Sequence, residues 1–402
     1  MRAVKNLYRV PLIFFALAAC FGLHLRAQVV RPFEWVNYPY WLHAHSHIMF
    51  LGWVTNVLLI FAIERFVTAD NVPWYRKTFF WLQAFLIGMV VSFPLQGYGV
   101  ASIALSTLHT ALIVVFAIRF FRQTRASSQT ASLWYMRVAL TFFLVSAVGP
   151  LAIGATSAMG LAQTKWYYLS VYYYLHFQYN GFFTFGVIAV FLNLMELKGI
   201  LYDQAEARRA GRYLAVACVP AYFLSTLWAD PGLIFNAIGF FASALQLVSL
   251  AVLIKCIRPA VSEIASNVNR ASARLLTIAL ISYGIKLLAQ WISAFPEVAH
   301  LAAANRPYVM AYLHLVLIGT ISLPQLTWYL ERDLFRGFAS PALVVFVTGF
   351  LLTEGILMLM PSAPRLGLGS GNTMVMMILA ATVILTLGVL MLLVSSRKPD
   401  KS

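Results

Sequence analysis

Charged residues are scarce in this chain, and acidic residues are the scarcest. Asp, Glu, Lys and Arg make up 10% of the 402 residues, whereas soluble globular domains contain about 25%. Hydrophobic residues account for 61% of the chain, and the mean hydropathy is +0.80. This composition excludes an ordinary soluble domain and favours a chain that crosses a membrane repeatedly.

Several familiar chemical signatures are also missing. The three cysteines, Cys20, Cys218 and Cys256, are too widely spaced to form a CxxC motif. The sequence contains no CxxCH for covalent haem, no Walker A motif, no nucleophile elbow and no HExxH. These absences exclude the motif-defined nucleotide, hydrolase and zinc-protease sites.

Apolar runs of about 20 residues, the length of a membrane-crossing helix, fill most of the chain. We predict an all-α polytopic bundle of twelve transmembrane helices, forming a single integral membrane domain over residues 1–402. The predicted spans, numbered in chain order, are 9–27, 42–64, 78–97, 100–120, 136–158, 167–195, 212–229, 233–256, 273–294, 308–330, 339–360 and 373–395.

The distribution of basic residues predicts an orientation with both termini in the cytoplasm. This orientation places 23 of the 29 Lys and Arg residues on the cytoplasmic side and five outside, as the positive-inside rule requires. The net charge of +16 is then a property of the membrane surface, and no nucleic-acid partner is expected. We expect lipid contact and a location in a bacterial inner membrane.

Histidine placement gives the main functional signal. In this topology the histidines of spans 2, 4, 6 and 10 share the outer half of the membrane: His43, His45, His47, His109, His176 and His314. Neutral imidazole is a common ligand for metals and for haem iron. Histidines scattered through a core for packing alone would have no reason to share one depth.

The cluster in span 2 cannot bind one ion with all three rings. At about 100° per residue, His43 and His47 share a helix face and His45 points nearly opposite. One histidine would therefore bind a haem, and the other two would contact propionates, water or a second ion. His314 has the depth of His45 and would serve as the second ligand of a bis-histidine haem. The alternatives are interfacial polar residues in span 2 and a lone buried histidine in span 10.

Spans 4, 6 and 9 carry further candidates. His176, with Tyr179 three residues later, would bind a second metal or pass a proton, and His109 is a weaker metal candidate. Packing with an internal hydrogen-bond network is the alternative for both histidines. Lys286 lies near the middle of span 9, where a lysine is by default a functional residue, such as part of a proton path. A structural pairing is the alternative for Lys286.

The pattern resembles the catalytic subunit of the haem-copper oxidase superfamily, which includes cytochrome oxidases and nitric oxide reductases. The stretch from His45 to Asn56 is similar to the family's helix 2, and Tyr312-Leu313-His314 is similar to its helix-10 His-x-His with tyrosine at the first position. His176 with Tyr179 is similar to the helix-6 metal histidine and its nearby tyrosine. A related shape is the smaller NnrS-type membrane haem protein, which is linked to nitric oxide response.

The resemblance implies a low-spin haem b between His45 and His314, and electron transfer or reduction of oxygen or nitric oxide. A second haem, or copper or iron, would occupy the metal site, with Tyr179 and Lys286 as catalytic candidates. The departures are the lack of any histidine in span 7 and of the proline-glutamate after the helix-6 histidine. Electrons would come from a cytochrome c or quinol, and partner subunits are expected.

Two other classes of function remain open. A transporter for metal, haem or a small solute would use a histidine-lined path and broken helices. A gas- or metal-response protein, or an assembly subunit, would keep degenerate sites without oxidase turnover. A bound haem spectrum distinguishes the first class from a haem protein.

Overall fold

A computed structural model describes residues 2–127, 129–337 and 339–397. These residues form helices, with one isolated bridge between Phe335 and Ser396. Twelve helical segments in this part of the chain are long and apolar enough to cross a membrane. The prediction of an all-α, twelve-span polytopic protein is therefore confirmed, while the orientation of the termini stays a prediction.

Fifteen of the 24 ends of the spans extend beyond the predicted bounds, by up to 11 residues. Their bounds are Asn6–Val30, Tyr38–Phe66, Ala69–Gln96, Val100–Gln123, Ala131–Ala158, Lys165–Leu197, Gln204–Ala229, Leu233–Asn267, Arg270–Ile292, Arg306–Glu331, Ala339–Leu359 and Gly371–Ser395.

Helix termini follow the local sequence. Asp203 accepts hydrogen bonds from the backbone N–H groups of Ala205 and Glu206 at the start of span 7, and Asn269 accepts one from Ser272 at the start of span 9. These side chains satisfy N–H groups that a helix leaves without partners at its first turn.

Contacts within the chain form two compact units. Unit 1 contains spans 1–4, 11 and 12, and unit 2 contains spans 5–10. In unit 1, span 1 packs against spans 2 and 12, span 3 against span 4, and span 11 against span 12. In unit 2 the packed pairs are spans 5 and 6, 7 and 8, 8 and 9, and 9 and 10. The prediction of one domain over residues 1–402 stays a prediction.

Spans 2, 6 and 10 differ from the others in burial. Between 67% and 89% of the most apolar stretch of each is buried, against 28–44% in the other nine spans of the described chain. The three spans that carry His47, His176 and His314 are thus mostly surrounded by protein, as expected for intramembrane residues with a specific task.

Candidate functional site

Spans 2, 6 and 10 share one local structure. In each, an α-helix ends at a histidine (His47, His176 or His314), and a π-helix follows at once. The π-helical segments are Ile48–Thr55, Phe177–Phe183 and Leu315–Ser322. Such segments are rare and occur frequently at functional sites. The same change from α-helix to π-helix after a histidine therefore occurs in all three spans.

The same spans share a sequence pattern, His-x4-Gly-x2-Ser/Thr, whose parts have physical roles. The hydroxyl of Thr184 donates to the carbonyl of Tyr179 at 2.6 Å. The hydroxyl of Ser322 donates to the carbonyl of Leu317 at 2.7 Å. Both bonds reach five residues back, the spacing of a π-helix. They stabilise the widened turns that follow His176 and His314, whereas the equivalent hydroxyl of Thr55 in span 2 has no hydrogen-bond partner among the described residues.

In spans 2 and 6 the shared glycine allows close packing against the preceding span. A Cβ atom on Gly52 would lie 2.6 Å from Cβ of Phe14 in span 1. A Cβ atom on Gly181 would lie 2.6 Å from Cβ of Phe142 in span 5. This repeat was not predicted from the sequence, because its copies lie four spans apart. The fixed spacing of histidine, glycine and hydroxyl was the signal that could have revealed it.

One ring nitrogen of His45 is held by the backbone of span 1. Its ring is half-buried, and Nδ1 lies 2.8 Å from the carbonyl oxygen of Ala18 in span 1. Nδ1 therefore carries the proton and donates it, which leaves the lone pair of Nε2 free for a metal. The ring passes close to Gly22, where an added Cβ atom would be 3.1 Å from Cε1 of His45. The carbonyl and the glycine together fix the ring orientation.

A basic group lies near His45. Arg26 in span 1 is within electrostatic range of His45 and of Glu354 in span 11. A cation at this position would neutralise a carboxylate of a bound cofactor. The sequence analysis assigned that role to the histidines next to His45 and overlooked Arg26, which only the packing of spans 1, 2 and 11 brings near.

His43 and His47 lie along one helix face, as their spacing predicts. Nδ1 of His47 is 2.9 Å from the carbonyl oxygen of His43, one turn back. The His47 ring stacks on Phe93 with centroids 4.3 Å apart, and the His43 ring lies 4.6 Å from that of Tyr98. As in His45, Nδ1 of His47 makes the backbone hydrogen bond and Nε2 takes no part in it. By the repeat, His47 and not His45 is the equivalent of His176 and His314.

His109 in span 4 is fully buried, and neither of its ring nitrogens has a hydrogen-bond partner among the described residues. It lies within electrostatic range of His47. A buried imidazole without a partner is costly, so a water molecule or other ligand beside His109 would stabilise the fold. Of the two predicted metal-binding histidines, His109 is the one with free nitrogens.

His176 is the other predicted metal-binding histidine, and both of its ring nitrogens make hydrogen bonds. Nε2 lies 2.8 Å from the carbonyl oxygen of Cys218, and Nδ1 lies 3.1 Å from Nδ2 of Asn180. The pairing assigns the proton to Nε2 and makes Nδ1 an acceptor for the Asn180 amide. In this arrangement a metal would have to replace one of the two hydrogen bonds.

The Cys218 carbonyl is available because span 7 changes its winding. The α-helix ends at Cys218, and a 3-10 helix, Pro220–Ala229, follows. In that tighter winding the N–H of Tyr222 donates to Val219 and leaves the carbonyl of Cys218 without a backbone donor. Pro220 has no N–H, which favours a break at this point.

The two predicted catalytic residues both lie inside unit 2. Tyr179 is buried, and its ring centroid is 6.4 Å from that of Tyr312. Lys286 is 1% exposed, and its Nζ lies 5.3 Å from the ring centroid of Tyr283. No carboxylate pairs with Lys286 in the described part of the chain.

Lys286 is within electrostatic range of His176 and Cys218. Span 9 presents Ser282, Lys286 and Gln290 on one buried face, since they are four residues apart. The catalytic assignments of Tyr179 and Lys286 stay predictions.

His314 is half-buried at the junction of the α-helical and π-helical parts of span 10. It belongs to unit 2, while His45 belongs to unit 1. Its pairing with His45 therefore stays a prediction. Within the described residues, no group of three or more His, Cys, Asp or Glu side chains is placed to hold a metal ion.

The fold and the histidine-bearing spans define an all-α, multi-pass membrane protein. No protein-family model matches the chain, and no curated protein matches it either.

Proposed function

We propose that this protein is a haem-binding membrane protein that carries electrons or reduces a small gas, oxygen or nitric oxide. The observation that supports the proposal is the geometry of His45, whose Nδ1 is held by the Ala18 carbonyl at 2.8 Å. A histidine that ligates a metal usually donates its other ring N–H to such a carbonyl. When bound, a haem b would supply a one-electron redox centre.

Each residue near His45 has a defined part in this proposal. Gly22 leaves room for the ring, and the Ala18 carbonyl fixes its tautomer. Arg26 supplies a positive charge for a propionate. The second axial ligand is assigned to His314 on the sequence pattern alone. We further propose a bacterial inner membrane as location, and a cytochrome c or quinol as electron donor.

The proposal gives His176 no role as a metal ligand, because its two hydrogen bonds already satisfy it. A second metal or haem would instead be sought near His109, whose ring nitrogens have no partner among the described residues. Gas reduction, as opposed to electron transfer alone, depends on such a second site.

Haem content in single variants tests the proposal. Protein purified from haem-replete cells should show a haem b pyridine-haemochrome spectrum, which His45→Ala abolishes. His47→Ala, on the same helix, and His300→Ala, at an exposed position, should retain it. If His47→Ala loses the haem and His45→Ala retains it, the ligand assignment is wrong. If the wild-type protein shows no haem band, the proposed function is wrong.

A glycine pair adds a readout that does not require loss of haem. Gly22→Ala places a Cβ atom 3.1 Å from the His45 ring and should shift the low-spin haem signals in electron paramagnetic resonance. Gly355→Ala is the matched control, since a Cβ atom there meets nothing within 4 Å. Equal spectra for the two variants would contradict ligation by His45.

A further inference from the structure

Unit 2 contains an apolar cavity that the histidine sites do not explain. Its volume is about 320 Å³, at the lower end of the roughly 300–1,000 Å³ of small-molecule sites. Walls come from spans 6, 8, 9 and 10, with Val187, Leu253 and Leu280 as typical lining residues. The cavity is partly open to the surface, since its lining residues Ile254, Val261 and Leu280 are exposed. An apolar occupant would cover this apolar surface and stabilise the region.

One end of the cavity is lined by residues at a bend in span 8. A 3-10 turn at Arg258–Ala260 redirects the chain into a short helix, Val261–Asn267. Arg258, Val261 and Ile264 line the cavity here. The bend thus places a cation and apolar side chains together at the end of the span, where a membrane interface is expected.

The charge at this end favours an anionic group. Arg258 is exposed, and it makes no ion pair or hydrogen bond with the described residues. The segment from residue 255 to residue 274 contains four exposed basic side chains and a single acid, Glu263. The basic residues are Lys255, Arg258, Arg270 and Arg274. In the orientation that the sequence predicts, this end faces the cytoplasmic leaflet, where basic pockets between helices bind anionic lipid headgroups.

We propose that the cavity binds one acyl chain of an anionic phospholipid, with the phosphate of its headgroup paired with Arg258. The apolar walls match the chain, and the free guanidinium matches the phosphate. The lipid would fill the space between spans 8 and 9 and hold the short helix Val261–Asn267 in place. This proposal does not depend on haem binding.

The other end of the cavity would also suit a different ligand, an isoprenoid quinone, which the test must distinguish from a phospholipid. Tyr283 and Thr320 line it, and the hydroxyl of Thr320 is buried without a hydrogen-bond partner among the described residues. Hydroxyl groups there would also suit the carbonyl oxygens of an isoprenoid quinone. A quinone needs those hydroxyls and not Arg258, whereas the phospholipid needs Arg258.

Native mass spectrometry of the full-length protein with added lipids separates the two. Wild-type protein should retain dioleoyl phosphatidylglycerol about five-fold better than dioleoyl phosphatidylcholine, the contribution of roughly one basic side chain. Arg258→Gln should remove this preference. Arg122→Gln, an exposed arginine in unit 1, should leave it unchanged. Ala279→Leu, which fills the cavity from a buried lining position, should reduce retention of both lipids.

Three results would overturn the proposal. The first is equal retention of the two lipids by wild-type protein. The second is a preference that survives Arg258→Gln. The third is a co-purified quinone that Ala279→Leu displaces while no phospholipid is lost. Near-identical thermal unfolding of Arg258→Gln and wild-type protein in detergent ensures that any loss reflects binding and not misfolding.

Discussion

The two hydrogen bonds of His176 indicate a structural role and not metal binding, and a substitution at this position tests that assignment. Replacing His176 with phenylalanine keeps a ring of similar size and removes both hydrogen bonds. The carbonyl of Cys218 and the amide of Asn180 are then left buried without their partner. Each such group costs about 1–3 kcal/mol, so the variant should lose about 2–6 kcal/mol of unfolding free energy.

The assay is unfolding in mixed micelles of mild detergent and dodecyl sulfate, followed by circular dichroism, with metal and haem content measured on the same samples. His300→Phe is the control, because His300 is exposed and its replacement should change stability by less than about 0.5 kcal/mol. An unchanged unfolding midpoint for His176→Phe, together with loss of one equivalent of metal, would show that His176 is a ligand and refute the structural assignment.

Two further predictions concern packing and charge. Gly181→Ala puts a Cβ atom 2.6 Å from a phenylalanine of span 5 and should destabilise the protein by about 1–3 kcal/mol. The control is Gly154→Ala, whose Cβ atom meets nothing within 4 Å. It should leave the unfolding free energy unchanged in the same melts. Glu64→Gln removes the buried partner of Arg332 and should cost about 3–5 kcal/mol. Glu206→Gln, at a pair whose side chains are partly exposed, should change stability by under about 1 kcal/mol, and equal losses in the two acid variants would contradict the burial argument.

The number and positions of the spans could be predicted from the sequence because hydrophobic length and basic residues obey simple rules. The opposite directions of His45 and His47 followed from helical periodicity, and their different partners, Ala18 and His43, agree with it. Both predictions depend only on local geometry, which a sequence records directly.

The contacts of His176 could not be predicted. They depend on a change of winding in span 7 that frees one carbonyl, and on an amide one turn away in a π-helix. The nearness of Arg26 to His45 depends on how spans 1 and 2 pack. Such features arise from tertiary packing, and single-residue patterns contain no record of them.

The repeated His-x4-Gly-x2-Ser/Thr pattern could be predicted from the sequence only in part. Its residues are visible in the sequence, yet their meaning becomes clear only when spans 2, 6 and 10 prove to be the most buried and to share a π-helix. The repeat also shows that His45 is an addition specific to span 2.

The most direct test of the central claim is the haem-to-protein ratio of the wild-type chain, measured by pyridine haemochrome on protein purified from haem-replete cells. We expect haem b at close to a whole-number ratio, with low-spin signals from two histidine ligands. A protein that is folded, monodisperse and free of haem under these conditions would contradict it.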